Sequence, residues 1–246
     1  MVVATAYNPL YSLRQKLVAY WDAEDASSVI LSGSSVTMWR DKNAGFSAIQ
    51  NGGSAQPTWS PTSFNGFPGV TFDGIDDTLL WTMPTLVPLP MFTKLCEVWI
   101  VVDQTSVGSD ANGRTAVAYG NDIGVNGSRV FQVVFSGNVE RIRGIVGTGV
   151  GSVTAQPAAV TYVGRHFTRM NVEAASITVI SDNLGAATTS GVVNTPLPLR
   201  LRIGARESAA ASQFWKGQIA LVLITLPLTV NEAVRLSDYC QYRRRV

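Results

Sequence analysis

The chain has 246 residues, of which 46% are apolar and 15% charged, with a formal net charge of +2 and one histidine. That balance argues against disorder, the net charge argues neither for nor against nucleic acid, and no apolar run reaches the ~20 residues of a membrane-spanning helix. The two cysteines, Cys96 and Cys240, are too few and too far apart for a disulfide framework or a thiolate metal cluster, and both are read as buried free thiols.

Residues 1–16 read as an N-terminal arm. They contain Pro9, show no clear period, and have room for one short helical turn. The apolar start breaks at Tyr7-Asn8-Pro9 and no positive segment precedes it, unlike a secretory signal. Residues 17–246 read as one domain of short strands. Leu17 to Trp21 and Val36 to Trp39 are strands, separated by a turn-rich stretch that Val29 to Leu31 anchors. Phe46 to Gln50 is a short strand, and Pro57-Thr58-Trp59 is extended because the proline ring fixes φ. Val70 to Asp73 alternates apolar and polar residues and then meets Gly74, Asp76 and Asp77, the pattern of a half-buried strand entering a turn.

Cys96 to Asp103 is the strongest strand and is nearly apolar on both faces. The strands 114–119, 129–135, 139–146, 158–167, 175–180 and 199–203 follow, between turns rich in Gly, Asn, Asp and Ser. Phe214 to Leu226 is a long apolar strand, in which Gly217 allows a bend or bulge. Beyond Pro227 the period changes. Val234, Leu236 and Tyr239 recur at helical spacing, and Thr229 followed by Glu232 has the spacing of a capping box. This predicts one short C-terminal helix that covers an edge or end of a sheet. The six tryptophans are expected mainly in the core, where each would bury ~150–250 Å². Acidic and basic residues divide unevenly: 6 Lys/Arg against 11 Asp/Glu in residues 1–123, and 13 against 6 in residues 124–246. The reading adopted is that the two halves interleave and their charges mix in space; two faces of opposite sign, suited to homo-oligomer contacts, are the alternative.

Four segments carry a resemblance when taken in order: Trp21-Asp22-Ala23; Trp39-Arg40-Asp41-Lys42; Pro57-Thr58-Trp59; and Asn65-Gly66-Phe67-Pro68-Gly69-Val70-Thr71-Phe72-Asp73-Gly74. Ile203-Gly204, Phe214-Trp215-Lys216-Gly217-Gln218-Ile219-Ala220 and a final Leu228…Glu232…Leu236…Tyr239 complete the set. Together, over residues 17–242, they resemble the concanavalin A-like lectin/glucanase superfamily in its laminin G-like form, as found in tailed-phage and bacterial surface proteins. The resemblance implies an all-β, two-sheet antiparallel jelly-roll sandwich.

The chemistry that such a fold hosts can be tested on the residues. Glucanases of the superfamily set paired carboxylates on one strand, since alternate residues share a face. Here Glu occurs only at 24, 97, 140, 173, 207 and 232, and no two share a strand, so no catalytic residues are assigned. His166 stands alone and no G-x-S-x-G elbow is present, which removes the usual nucleophile–base signature. Asp73, Asp76 and Asp77 resemble a hard-oxygen cluster for calcium, but their spacing is not that of an EF-hand and Asp is a natural turn former. No metal or cofactor is therefore assigned. The Gly144–Gly151 run is followed by strand-like sequence, so it reads as a hairpin or loop and not as a phosphate cradle. Asn126-Gly127-Ser128 reads as an ordinary turn and not a glycosylation acceptor.

A sugar site needs aromatic faces and polar groups near loops. Trp59, Asp76, Asp77 and Trp81 are the candidates, with Trp81 foremost because it follows the acidic turn. The expectation is a non-enzymatic structural and adhesion protein of a phage virion: a capsid decoration, fibre or tail component. It would be made without a signal peptide, join other virion proteins through the arm and bind host surface polysaccharide, with no membrane or nucleic-acid partner. A free glycan-binding module is the alternative, and a degenerate glycoside hydrolase the third reading.

Overall fold

The computed structural model describes residues 8–82, 95–104, 114–119, 129–136, 139–147, 152–157, 164–182, 185–191, 200–206 and 213–245. A single turn of helix, α1 (Pro9–Ser12), leads into β1 (Leu17–Asp22), β2 (Val29–Ser32), β3 (Ser35–Arg40), β4 (Ser47–Ile49), β5 (Thr58–Phe64), β6 (Phe67–Asp73) and β7 (Leu79–Thr82). Then come β8 (Cys96–Gln104), β9 (Arg114–Tyr119), β10 (Arg129–Ser136), β11 (Val139–Gly147), β12 (Ser152–Ala155), β13 (Gly164–Val172), β14 (Ser176–Ser181) and β15 (Gly185–Ser190). β16 (Arg200–Ile203), β17 (Lys216–Thr225) and the closing helix α2 (Val230–Arg245) end the chain.

Strand pairing arranges these elements as two antiparallel sheets, joined at one corner where Ser35 of β3 pairs with Thr58 of β5. The first runs β15-β14-β13-β8-β17; β1 and β6 then share the far edge of β17, and β5 lies beyond β6. The second runs β12-β11-β10-β9-β16-β7-β4-β3-β2. This is the expected jelly-roll sandwich. Trp21, Trp39, Phe72, Leu79, Trp81, Ile100, Ile203, Trp215 and Val222 fill the space between the sheets.

The two-faced apolarity of β8 has a direct cause. Val98, Ile100 and Val102 face the second sheet, whereas Trp99 and Val101 face outward into a second apolar cluster with Leu13, Phe167, Leu223, Ala233, Leu236 and Cys240. Side chains alternate along a strand, so a sheet covered on both faces needs apolar residues at every position. The cover is α2, which lies on the outer face of the first sheet and not on an edge or end as the sequence implied. It is also longer than expected, at 16 residues. Ala233, Leu236 and Cys240 turn inward, while Val234 faces solvent. The capping box forms as expected: the Thr229 N–H donates to Glu232 Oε2 (2.7 Å) and the Glu232 N–H to Thr229 Oγ1 (3.4 Å). Both cysteines are free and buried, one in each cluster.

The segments that carried the resemblance are fastened to one another. Trp21 Nε1 donates to Trp39 O (3.2 Å), Trp59 Nε1 donates to Ala23 O (3.0 Å), and the Tyr20 N–H donates to Asp41 Oδ1 (2.5 Å). Gly204 sits at φ 87°, where a Cβ would lie 2.2 Å from the Phe72 ring, and its carbonyl accepts from Trp215 N (2.7 Å). Asn65 and Gly66 both have positive φ and join Phe64 to its partner Phe67 in a two-residue hairpin.

Some bounds differ from the sequence reading. β13 continues five residues past Phe167, to Val172, and the expected 158–163 lies outside the described residues. β2, β7, β12 and β15 were not expected as strands, and of the anchor read at Val29 to Leu31 only Val29 is buried, with Leu31 exposed. The outer strand β15 reads GAATTS and carries no large apolar side chain. The Gly144 run forms the end of β11, which pairs with β12 through Gly147↔Ser152 as a hairpin whose turn is outside the described residues, as is the Asn126 turn. The register shift in β17 falls between Ile219 and Leu221, beyond Gly217, whose φ is 140°.

Candidate functional site

The turn after β6 is built by its own carboxylates. Asp73 Oδ1 accepts from the N–H groups of Ile75 (2.7 Å), Asp76 (3.3 Å) and Asp77 (3.5 Å), and Asp77 Oδ2 accepts from Asp73 N (2.8 Å). Gly74 has φ 81°, and a Cβ there would collide with Arg114 Nη1 and the Lys216 stem, so one guanidinium and the aliphatic part of Lys216 stand beside the turn. The three carboxylates come within 4.8 Å of one another and have the oxygen chemistry for a hard cation. Burial pushes the Asp77 carboxyl up to about 6, with Asp73 and Asp76 adding to the effect against the Asp73 hydrogen bond.

The structure does not gather the four sequence-predicted residues around one open surface. Trp81 is 5% exposed, its ring 4.6 Å from that of Phe46 in the core. Trp59 is half-buried against the same core, its N–H held by Ala23 O. Asp77 is buried beneath the turn and Asp76 is half-exposed.

The more site-like concavity is one that sequence reasoning missed. An open groove of about 740 Å³ lies between α2 and the outer face of β8 and β13. Its floor is Glu97, Trp99, Phe167 and Arg169; its polar wall is Asn171, Glu173, Ser237 and Asp238; its apolar lip is Leu95, Val230 and Val234. The volume is within the ~300–1,000 Å³ of small-molecule sites. Strand alternation places Glu97 and Trp99 on one face of β8, and antiparallel pairing sets Arg169 opposite Trp99. Phe167 stacks on Trp99 at 5.8 Å and 9°.

The floor is locked. Glu97 Oε1 accepts from Arg169 Nη2 (2.8 Å) and Leu228 N (3.1 Å), and its Oε2 accepts from Trp99 Nε1 (3.0 Å). The Arg169 guanidinium lies over the Trp99 ring at 4.8 Å. The wall is more open. Asn171 Nδ2 and Ser176 Oγ donate to Glu173, and Asp238 makes no hydrogen bond or ion pair with any described residue. No sequence motif marks this site, because its parts come from residues 95–99, 167–173 and 227–238.

The other ionisable groups are fasteners. Arg243 is buried between Asp22 (3.0 Å) and Glu24 (2.6 Å), and Tyr20 donates to Asp22 Oδ2 (2.7 Å) and meets the Tyr239 hydroxyl (2.8 Å). Burial drives the Tyr239 hydroxyl up to about 12. His166 Nδ1 meets Asp182 Oδ1 (3.3 Å), whose other oxygen takes the Arg244 guanidinium. Ser181 Oγ lies 3.3 Å from both Phe167 O and Asp182 Oδ1, and its one proton serves one of them at a time.

No protein-family model matches the chain, and no curated protein matches it. Solved structures do. Domain 4 of AbnA, a GH43 extracellular arabinanase from Geobacillus stearothermophilus in complex with arabinotriose, is similar at TM-score 0.58 and 12% identity, over 92% of this chain and 98% of that one. A Trypanosoma rangeli sialidase is similar at 0.61 and 14%, over 90% of this chain and 32% of the sialidase. The enzymatically active domain of bacteriophage CBA120 tailspike protein 2 is similar at 0.53 and 14%, over 75% and 29%. At these identities the likeness is one of fold: a lectin-like jelly-roll β-sandwich.

Proposed function

We propose that the chain is a non-enzymatic, carbohydrate-binding adhesion module of a phage particle. In this reading the jelly roll holds host-surface glycan in the groove between α2 and the first sheet, and the N-terminal segment meets other virion proteins. The observation that carries the glycan reading is the groove. It combines an apolar lip, which suits the C–H face of a sugar ring, with amide, hydroxyl and carboxylate groups, which suit its hydroxyls. The neighbours' arabinotriose complex and the tailspike likeness support this choice of ligand and setting by analogy of fold alone.

Glycoside hydrolysis is the weaker reading on the same geometry. It needs one carboxyl to deliver a proton and a second about 5–9.5 Å away. Both oxygens of Glu97 are already taken by protein donors: a guanidinium, an indole N–H and a backbone N–H. The test is a glycan array probed with the intact chain and with Val234→Trp, which fills the groove from an exposed position. Binding by the parent and at least a tenfold loss in Val234→Trp is the expected result. Equal binding by a folded Val234→Trp places the glycan elsewhere.

A further inference from the structure

The groove's charge is one-sided. Glu97, Glu173 and Asp238 supply three carboxylates, and Arg169 is the one guanidinium among its lining residues. That guanidinium is anchored from one side: Nη2 holds Glu97 Oε1 at 2.8 Å, its plane rests on Trp99, and its Nε is buried without a hydrogen-bond partner among the described residues. It cannot turn outward to an acidic sugar without leaving Glu97 buried and unpaired, which is costly. Asp238, in contrast, is an exposed carboxylate on the groove wall with no hydrogen-bond or ion-pair partner among the described residues. Glu173 sits across from α2 with only single hydrogen bonds to each oxygen, which leaves accepting capacity. The lip adds Val230, Val234 and Leu95, which are 79%, 53% and 39% exposed and would exclude water around a ring laid against them.

We infer that the groove selects oligosaccharides bearing free amino groups over neutral and acidic ones. This rests on the glycan reading of the groove. A protonated sugar amine placed between Asp238 and Glu173 gains charge-assisted hydrogen bonds that an acetamide cannot make, and a sugar carboxylate is repelled there. The neighbouring amide of Asn171 and hydroxyl of Ser237 take ring hydroxyls, which separates an amino sugar from a bare cation.

The experiment is calorimetric titration of the intact chain at low salt and mildly acidic pH, where sugar amines hold their protons. The probes are a β-1,4-linked glucosamine tetramer, its fully N-acetylated counterpart, 3′-sialyllactose and tetralysine. The expected result is about tenfold tighter binding of the glucosamine tetramer than of the N-acetylated one, with sialyllactose weakest. The gap should close near 1 M salt, where the screening length falls to ~3 Å. Asp238→Asn should also narrow it, weakening the glucosamine tetramer at least fivefold more than the N-acetylated one. Parity between the two tetramers, with Val234→Trp still blocking both, overturns the charge selectivity and leaves the groove as the glycan site. Sugar binding that Val234→Trp does not touch, or no binding by any sugar, overturns the groove reading and this inference with it. Tetralysine binding as tightly as the glucosamine tetramer overturns the inference in favour of a basic peptide.

Discussion

Asp77 shows how a residue that looks like a ligand from sequence can work for the fold. Its Oδ2 closes the acidic turn by accepting from Asp73 N, and its carboxyl is pushed up to about 6, chiefly by burial. The unfolded value is ~3.9, so between about pH 4 and pH 6 the folded protein holds a proton that the unfolded chain has lost. Asp77 therefore makes stability fall as pH rises through that window, and the loss is complete above it. Asp77→Asn keeps the accepting oxygen and removes the charge. It should leave stability unchanged at pH 4 and raise it by about 2 kcal/mol at pH 7, read from denaturant unfolding at both values. A gain of the same size at both pH values would mean that burial of the charge is not the cause.

At the scale of elements, the helix that builds one wall of the groove is held at its start by Thr229 and Glu232, and Glu232 is shared with Lys16 at 2.6 Å. The Lys16 ammonium, with the Thr229 N–H, lowers the Glu232 carboxyl to about 2. Its contribution is thus present above the unfolded value of ~4.3 and fades as pH falls toward 2. Thr229→Ala should cost about 1 kcal/mol at pH 7 by removing the cap. Glu232→Gln should cost less at pH 2 than at pH 7; a penalty independent of pH would rule out the ion pair as its source. This start was legible in the sequence because capping is local. The far end was not: Arg243 shares the inward face of Leu236 and Cys240, and what makes a buried arginine tolerable is Asp22, which is 221 residues away. The same limit explains Trp81. Nothing local distinguishes a tryptophan after a turn that faces solvent from one that shares the inward parity of Leu79. The groove residues met the limit in full, since Asn171 and Asp238 adjoin only once β13 and α2 have packed.

For the whole molecule, the uneven charge of the two halves is resolved by interleaving. Arg243 with Asp22 and Glu24, Lys16 with Glu232, and Arg169 with Glu97 all pair residues of one half with the other. The N-terminal segment takes part in this closure. Leu13 is 2% exposed in the cluster beneath α2, the Leu17 N–H donates to Leu13 O (2.7 Å), and Tyr11, two residues earlier, is 83% exposed. Leu13 and Lys16 therefore serve the domain, and a test of the arm's proposed role in a particle has to keep both. A deletion of residues 1–7 leaves Leu13, Lys16 and their contacts in place. Leu13→Ala should cost about 2–4 kcal/mol, the range for emptying a buried leucine site. If the segment joins the module to a virion, the deletion should abolish particle incorporation without loss of fold, and Leu13→Ala should incorporate in proportion to its folded fraction. Normal incorporation of the deleted chain would remove the segment from the attachment role and leave the groove-bearing domain as the only candidate contact.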